Sequence, residues 1–443
     1  MIVSFSVSNF RSFSSEETLS LIASNRLSGT HDDHAVPIPD SKERVLRAAV
    51  LYGANGAGKS NLFKALRYLK FVALISRQEK GGTKREPFRF AGPQDALSTF
   101  DLQFIAADKL YRFGFKVGDQ RIAEEWLFQV VGNRQRLVYE RTTDENGGVA
   151  IDASGLKDAG EKVTALATVG GPQNQSFLAT ANATLNASDL GEDLGCVLTW
   201  FREGLVLIGP NEPVEALGHM LDRDSDFLSF ASAFLKSAST GVDHLEILKE
   251  EISNDDPRSV LRNMPLGAVK LTVDNSEALL DREEDHLYQI SIQAAHEFEA
   301  GKVFRLRLGN ESDGTRRLLD LLSALYGPRT KRTVCVIDEI DRSLHPILVK
   351  EFLEFFLKSC DGGPRQLIVT THESNLLDQD LLRRDEIWFA EKDQSASTRL
   401  YSLLDFKVRN DLEIRKHYLQ GRFGAVPFLG NLHSLVAKTD RPE

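Results

Sequence analysis

The stretch 53–60, Gly-Ala-Asn-Gly-Ala-Gly-Lys-Ser, is a complete Gly-x4-Gly-Lys-Ser phosphate-binding loop. The apolar segment LRAAVLYG precedes it and KALRYL follows it, and these supply the strand and the helix that such a loop requires. Its glycines allow the backbone to curl so that successive N–H groups and the helix N-terminus face a phosphate. Because both the spacing and the context match, the stretch predicts nucleotide binding rather than a Gly-rich turn that carries Lys-Ser by chance.

The side chains that close this loop have separate predicted roles. Lys59 is expected to reach the β- and γ-phosphates of ATP as a mobile positive charge, and the Ser60 hydroxyl is expected to take one coordination position on Mg2+. The residues predicted to contact the nucleotide here are Asn55, Gly56, Ala57, Gly58, Lys59, Ser60 and Asn61.

A second segment, TVCVIDEID at 333–341, has the pattern of a buried strand that ends in two adjacent carboxylates. Asp338 is suited to hold Mg2+ through its water shell, and Glu339 is placed to polarise the water that attacks the γ-phosphate. A strand that merely ends in a polar turn is the alternative. The phosphate loop in the same chain favours the catalytic interpretation.

Two further segments bear on the class of nucleotide-binding protein. ESDGTRR at 311–317 opens a run of leucines at helical spacing, which places Ser312 and Gly314 at a helix N-terminus, a second anion site. RQLIVTTHES at 365–374 reads as a buried strand that ends before His372, whose imidazole could contact a γ-phosphate. Alone, Ser-Asp-Gly is a common helix cap and a single histidine is often structural. Their order along the chain favours a shared site.

The order of these four segments resembles the ATP-binding-cassette (ABC) class of ATPases, including the SMC-type and RecF-type proteins. In that class the Ser-x-Gly segment binds the γ-phosphate of the nucleotide held by the other subunit. The resemblance therefore implies a homo-oligomer in which two ATPs are sandwiched head to tail, and an enzyme that hydrolyses ATP to ADP and phosphate. The fold it implies is α/β, an ABC-type P-loop NTPase head.

The two ends of the chain resemble particular families within this class. MIVSFSVSNFRSF at 1–13 alternates like an edge strand and looks like the opening strand of the SMC, RecF and OLD-type ATPases. YSLLDFKVRNDLEIRKHYLQGRFGAVPFL at 401–429 resembles the tail of OLD-like AAA-family ATPases related to RloA, which are encoded beside bacterial restriction and phage-defence loci. The Gly-Arg-Phe-Gly stretch at 421–424 could equally be a turn that packs on the core.

Two departures from the ABC pattern stand out. The signature segment reads Ser-Asp-Gly-Thr rather than Ser-Gly-Gly-Gln, so Asp313 brings a negative charge close to the expected γ-phosphate. This charge is expected to slow closure of the pair. The glutamine loop that senses Mg2+ in this class has two candidates, Gln94 and Gln103, and the sequence does not decide between them.

Along the chain, four parts are predicted. Residues 1–200 form the first half of the ATPase head, with the phosphate loop and an antiparallel β-lobe, because segments within 86–155 alternate between turn signals. Residues 201–285 form a helical insertion, indicated by helical periodicity at 211–265. Residues 286–405 return through a hairpin to the second half of the head, and residues 406–443 are a C-terminal tail.

Composition limits the partners. The net charge of -10 argues against binding of DNA or RNA by the whole surface, although basic stretches at 77–85 and 329–333 could contact nucleic acid if they are more than solvated loops. No apolar run is long enough for a membrane helix and no signal peptide is visible, so we expect no membrane partner. Three cysteines without paired spacing suit a reducing cytoplasm.

A cluster of histidines and aspartates, His31, Asp32, Asp33 and His34, could suggest a metal site. A polar segment that contains prolines follows it, which favours a loop.

The leading hypothesis is a dimerising ATPase whose cycle gates a partner effector, a nuclease or toxin, in anti-phage defence. No metal-dependent nuclease domain is recognised after His372, so the resemblance to OLD-type proteins implies that any nuclease is a separate subunit. The alternative is a RecF- or SMC-like DNA-repair ATPase that binds DNA directly. A transporter ATPase fits the opening strand and the tail less well.

Overall fold

Short apolar runs form strands and longer amphipathic runs form helices in the computed structural model. It describes residues 1–76, 81–90, 96–156, 160–211, 217–253, 255–256, 267–273, 276–283, 286–299, 301–326, 332–359, 364–407 and 413–427. The strands are β1 Ile2–Ser8, β2 Glu17–Ser20, β3 Ala35–Pro37, β4 Arg44–Leu46, β5 Ala48–Tyr52, β6 Ser98–Ala106, β7 Lys109–Val117, β8 Ile122–Val131, β9 Arg134–Thr143, β10 Val149–Asp152, β11 Leu205–Ile208, β12 His244–Glu251, β13 Gly267–Val273, β14 Ser276–Glu283, β15 His286–Phe298, β16 Lys302–Arg307, β17 Val334–Ile337, β18 Gln366–Thr370, β19 Ile387–Lys392 and β20 Thr398–Ser402. The α-helices are α1 Lys59–Leu74, α2 Glu161–Val169, α3 Phe177–Thr184, α4 Gly191–Thr199, α5 Leu217–Arg223, α6 Ser225–Ser237, α7 Asp313–Leu325, α8 Pro346–Lys358 and α9 Ile414–Leu419.

The chain divides into two compact units. The first comprises Met1–Leu207, Thr330–Glu339 and Cys360–Glu443, and the second comprises Ile208–Arg329 and Ile340–Ser359. The first unit contains the phosphate loop, the acidic strand and His372, whereas the second contains the Ser-x-Gly segment.

A mostly parallel sheet lies at the centre of the first unit. Its strand order is β11-β17-β18-β5-β19-β20; the pairs β17–β18, β18–β5 and β5–β19 are parallel, and β19 pairs with β20 antiparallel. Every residue of β5, β17 and β18 is buried, which is why these strands read as continuous apolar runs rather than alternating ones. Because the strands are parallel, the loops that follow β5, β17 and β18 all leave from the same edge of the sheet.

A second, antiparallel sheet forms the predicted β-lobe. Its order is β10-β9-β8-β7-β6-β1-β2, and consecutive hairpins from β6 to β10 account for most of it. The predicted α/β fold, with a mostly parallel sheet beside an antiparallel β-lobe, is thereby confirmed. The expectation that the opening strand lies at an edge is wrong, because β2 pairs along β1 on the side away from β6, with Ser4 opposite Ser20.

One buried side chain connects the two sheets of the first unit. The Gln366 side-chain carbonyl accepts a hydrogen bond from the backbone N–H of Ile2 at 2.7 Å, and its amide donates to the carbonyls of Ile2 and Leu46 at 2.9 and 2.8 Å. A buried amide whose hydrogen bonds are all satisfied fixes the geometry between its neighbours. Gln366 therefore ties the opening strand to the parallel sheet.

The second unit begins with two helices and continues with antiparallel strands. Its helices α5 and α6 form the predicted helical insertion, which is shorter than expected because strands begin at His244. β12, β14 and β16 all pair with β15, and the β15–β16 hairpin leads to α7 as predicted. Only the first four residues of β12, HLEI, alternate polar and apolar residues as a half-buried strand does, and the alternation is lost from Leu248 onward.

In the C-terminal tail, the Gly-Arg-Phe-Gly stretch that follows α9 is a turn that packs on the core. Gly421 and Gly424 have left-handed φ values of 79° and 66°, and Phe423 between them is buried against Phe389 and Phe406. This agrees with the packing-turn interpretation of the Gly-Arg-Phe-Gly stretch. Among the described residues, no helix is long and apolar enough to span a membrane.

Candidate functional site

The phosphate loop leaves β5 and enters α1 directly. Gly56 and Gly58 have φ values of 78° and 110°, a region that residues with a Cβ rarely adopt, so the glycines are required for this curl. Gly58 is the N-cap of α1, and Lys59 is its first residue. Asn55 and Gly56 at the tip are exposed, whereas Ala57 and Gly58 are buried. The loop therefore presents its tip to solvent and the positive end of the α1 dipole behind it.

The loop is held from outside by two residues far away in sequence. The Thr398 hydroxyl lies 2.8 Å from the carbonyl oxygen of Ala57 and 2.7 Å from Ser12 Oγ, and the Asn61 side-chain amide donates to the same Ser12 Oγ at 2.8 Å. A Cβ on Gly58 would lie 2.0 Å from Thr398 Oγ1. The close approach of β20 thus requires glycine at this position and rigidifies the loop.

Lys59 is folded against the loop that it closes. Its ammonium group donates to the carbonyl oxygens of Gly53 and Ala54 at 2.7 and 3.2 Å, and the side chain is buried. A buried ammonium has a strong requirement for negatively charged or carbonyl oxygen partners. The position of Lys59 inside the curl is therefore well suited to a phosphate.

Ser60 and the acidic strand meet at the carboxyl edge of the parallel sheet. Ser60 Oγ donates to Asp338 Oδ1 at 3.2 Å, and Thr370 Oγ1 donates to the same oxygen at 2.6 Å. Asp338 is almost completely buried. A hydroxyl and a carboxylate at this separation are hard oxygen donors of the kind that Mg2+ binds, so the residues fit this ion.

Glu339 has an unusual backbone that Thr370 stabilises. Its φ is 52°, in the left-handed region, and its N–H donates to Thr370 Oγ1 at 2.8 Å. Non-glycine residues with positive φ are enriched at functional sites. Thr370 thus contacts both acidic residues at once. His372 is exposed two residues beyond the end of β18, on the same edge of the sheet as the phosphate loop.

The Ser-x-Gly segment lies in the second unit. Ser312 is exposed and is the N-cap of α7, and its Oγ accepts the Thr315 N–H at 3.1 Å. A Cβ on Gly314 would lie 2.7 Å from the Ser343 carbonyl oxygen, so glycine permits this backbone contact. The side chain of Asp313 forms an ion pair with Arg316. Its charge is therefore partly balanced, which weakens the expected repulsion of a phosphate.

The structure describes only part of the two basic stretches and one of the two glutamine-loop candidates. Arg85, in the first basic stretch, is buried and bonded to Asp119 and to the carbonyls of Ala96 and Val117, so it has a structural role. Gln103 lies on β6, and Gln94 lies outside the described residues. Residues 77–80 and 329–331 of the basic stretches also lie outside them.

Sequence reasoning missed three polar residues around the site: Ser12, Thr370 and Thr398. Thr370 precedes the predicted histidine by two positions, and a threonine at the end of a buried strand was an available signal. The roles of Ser12 and Thr398 depend on β20 packing against the loop, which no local pattern reveals.

The chain is similar to one family model and to several solved structures. The family model described as "AAA domain, putative AbiEii toxin, Type IV TA system" matches residues 48–159 and 166–378, well over half of the chain. No curated protein matches significantly. Among solved structures, the SMC head bound to the C-winged helix domain of ScpA is 15% identical, with a TM-score of 0.39 over 90% of this chain and 97% of that chain. The SMC head domain from Thermotoga maritima is 14% identical, with a TM-score of 0.37 over 90% and 98%.

Proposed function

The chain belongs to this AAA-domain family, and we propose that it binds ATP and hydrolyses it to ADP and phosphate. The observation that carries the proposal is the hydrogen bond between Ser60 Oγ and Asp338 Oδ1 at 3.2 Å. It joins the end of the phosphate loop to the acidic strand, two segments that are 278 residues apart in sequence. These are the two groups that a P-loop ATPase uses to hold Mg2+.

Binding is assigned to the loop. The backbone N–H groups of residues 53–60 and the α1 N-terminus face the phosphates, and the Lys59 ammonium moves from the loop carbonyls to the β- and γ-phosphate oxygens. Ser60 and Asp338 would hold Mg2+, which supplies positive charge against the transferred phosphoryl group. ATP carries more negative charge than backbone dipoles alone can balance, so Lys59 is essential for affinity.

Hydrolysis is assigned to Glu339 and His372. The Glu339 carboxylate orients the attacking water and accepts its proton, and Thr370 fixes the backbone that aims this carboxylate. His372 contacts the γ-phosphate by hydrogen bonding from its imidazole. All these groups follow strands of one sheet, so their relative positions are set by rigid elements rather than by flexible loops.

A titration with fluorescent ATP tests the binding step. Lys59→Ala should abolish saturable binding in a folded protein. Lys64→Ala is the matched control, because Lys64 lies on the exposed face of the same helix. Binding by Lys59→Ala with the affinity of the control would refute the assignment of the loop.

We further propose that the enzyme is a head-to-tail dimer with composite sites. Ser312 is exposed at the start of a 13-residue helix, and its hydroxyl and the N-terminal N–H groups of α7 provide an anion site for a partner's γ-phosphate. In this arrangement each nucleotide touches the phosphate loop of one subunit and Ser312 of the other.

Mixing two inactive variants tests the composite site. Ser312→Arg should prevent ATP-driven dimerisation while it leaves binding to the single subunit nearly intact, and Lys59→Ala lacks a working loop. A mixed dimer regains one complete site, formed by the loop of the Ser312→Arg chain and Ser312 of the Lys59→Ala chain. ATPase activity that peaks near equal amounts supports the dimer, provided that one site suffices for turnover. Full activity of a monomeric Ser312→Arg protein contradicts it.

The biological output we propose is control of a separate toxic effector, a nuclease or toxin, in anti-phage defence. The family description names a putative AbiEii toxin of a type IV toxin–antitoxin system, which supports a link to such a system. The sequence resemblance to OLD-like ATPases points the same way. Co-expression with the product of the adjacent open reading frame tests it. Glu339→Gln should alter growth arrest or plaque formation, and an unchanged phenotype with a folded variant opposes gating.

A further inference from the structure

The 3-10 turn directly before β3 brings two histidines together. The turn spans Asp32–His34, and His31 precedes it with a left-handed φ of 46°. The His31 and His34 ring centroids are 4.7 Å apart, with an interplanar angle of 26°. One nitrogen of each ring and one carboxylate oxygen of Asp33 lie within 4.8 Å of one another. Two imidazoles and a carboxylate form the donor set of many zinc sites.

Each imidazole is held by a hydrogen-bond acceptor on one of its two ring nitrogens. His34 is buried, and its Nδ1 lies 3.1 Å from both carboxylate oxygens of the buried Glu386. His31 Nε2 lies 2.9 Å from the carbonyl oxygen of Gln379. Since a carbonyl and a carboxylate accept, each of these nitrogens carries the proton when the ring is neutral. That tautomer leaves a lone pair on Nε2 of His34 and on Nδ1 of His31.

This pattern is the usual one around a bound metal. Histidines that ligate a metal almost always donate their second ring N–H to a carboxylate or a backbone carbonyl, which fixes the ring and raises its basicity. A buried pair of His34 with Glu386 alone would be structural. It does not explain why His31 is held beside it against a carbonyl, nor why the two rings lie together.

The neighbouring carboxylate has a different role. Both oxygens of Asp32 accept the Gly29 N–H, at 3.0 and 3.1 Å. Asp32 therefore closes the preceding turn, whereas the exposed Asp33 carboxylate is directed to the cluster of ligand atoms.

We propose that His31, Asp33 and His34 bind a divalent transition-metal ion, with Zn2+ the best match to this donor set. Three protein ligands leave a fourth position for water or another ligand. The 3-10 turn contacts the Arg383–Glu386 segment through His34, and this segment leads into β19 beside the phosphate-loop strand. Bound Zn2+ would therefore tie the N-terminal region to the core of the first unit and stabilise it.

Calorimetric titration of the chelator-treated full chain with Zn2+, without nucleotide, tests this proposal. The expected result is one saturable site per chain and an increase in melting temperature. His31→Ala and Asp33→Asn should each weaken Zn2+ binding by at least about 10- to 100-fold, the loss that follows when only an outer-shell partner of a ligand is removed, because each substitution removes or neutralises a ligand. His417→Ala is the control for a histidine elsewhere in the first unit and should bind as the unsubstituted protein does.

Both variants leave the buried His34–Glu386 contact in place, so circular dichroism should show native folding. No saturable Zn2+ binding by the unsubstituted chain, or equal affinity in the unsubstituted chain and both variants, would overturn the proposal. Titration with Co2+ provides a second measurement. A cobalt–thiolate charge-transfer band would place the ion on a cysteine and would also overturn it.

Discussion

Replacement of Thr370 by valine removes one hydroxyl that contacts both acidic residues of the proposed ATPase site. The hydroxyl donates to Asp338 Oδ1 at 2.6 Å and accepts the Glu339 N–H at 2.8 Å. Valine has nearly the same shape, so the core around β18 should remain packed. The variant therefore isolates the hydrogen bonds from the volume of the side chain.

The size of the effect follows from these two contacts. A hydrogen bond to a charged group contributes about 1.5–3 kcal/mol, and a buried N–H without an acceptor costs about 1–3 kcal/mol. The left-handed backbone of Glu339, with its φ of 52°, is strained by a similar amount and depends on the Thr370 acceptor. If about 1.4–3 kcal/mol of this loss appears in the activation barrier, kcat falls by about 10- to 150-fold.

The assay is steady-state ATP hydrolysis, with kcat and KM measured separately. Thr370→Val should lower kcat and leave KM nearly unchanged, because the Thr370 hydroxyl bonds to Asp338 and Glu339, whereas phosphate binding is assigned to the loop. Thr370→Ser keeps the hydroxyl and should restore most of kcat. Thr371→Val removes a buried hydroxyl that instead accepts the Glu373 N–H at 2.9 Å, and it should have a smaller effect. A folded Thr370→Val enzyme with full kcat, or a Thr370→Ser enzyme as slow as Thr370→Val, would refute the positioning role.

Three other predictions concern the phosphate loop and two buried polar side chains of the first unit. Gly58→Ala places a Cβ 2.0 Å from Thr398 Oγ1 and should abolish ATP binding and lower the melting temperature. Gly56→Ala meets no atom within 4 Å and should lower the free energy of unfolding by only about 1–2 kcal/mol, because of its left-handed backbone. Similar losses in both variants would oppose the role of the Thr398 contact. Burial raises the pKa of Glu125 in the folded protein above its ordinary value of 4.5. The protonated Glu125 side chain therefore contributes to stability below pH 4.5, and this contribution is lost as the pH rises through the folded-state pKa. In Glu125→Gln, the free energy of unfolding measured in urea should therefore fall less steeply as the pH rises above about 4 than it does in the unsubstituted protein. The same pH dependence in both proteins would count against the raised pKa of Glu125. Gln366→Leu leaves the buried backbone groups of two strands unpaired and should lower the free energy of unfolding in urea by about 2–4 kcal/mol. A decrease smaller than the error of the measurement would show that the Gln366 link between the sheets is dispensable.

The sequence predicts those parts of the site that local chemistry determines. A phosphate loop is a continuous segment whose glycines, lysine and serine act together, and the strand before the acidic pair is apolar because it is buried on both faces. Both features can therefore be recognised without knowledge of the tertiary structure. The β6–β10 hairpins were predictable for the same reason, since each pairs with its neighbour in sequence.

Contacts between distant segments could not be predicted in this way. The role of Thr370 depends on β18 lying between β17 and β5, and this order is a property of the whole sheet. The position of β1 inside its sheet depends on the short β2 strand, whose four residues give a weak pattern. The β12 segment is rich in Glu and Lys, which also favour helices, and its strand state is fixed by pairing with β15 far along the chain.

In the ATPase site that we propose, Glu339 activates water beside Lys59, Ser60 and Asp338. The most direct measurement is ATP hydrolysis by Glu339→Gln, together with ATP affinity and sedimentation. Glutamine keeps the shape of the side chain but cannot accept the proton, so turnover should fall by about 10²- to 10⁴-fold while ATP affinity persists and closed dimers accumulate. Hydrolysis near the unsubstituted rate by a folded, ATP-binding Glu339→Gln protein would contradict the account.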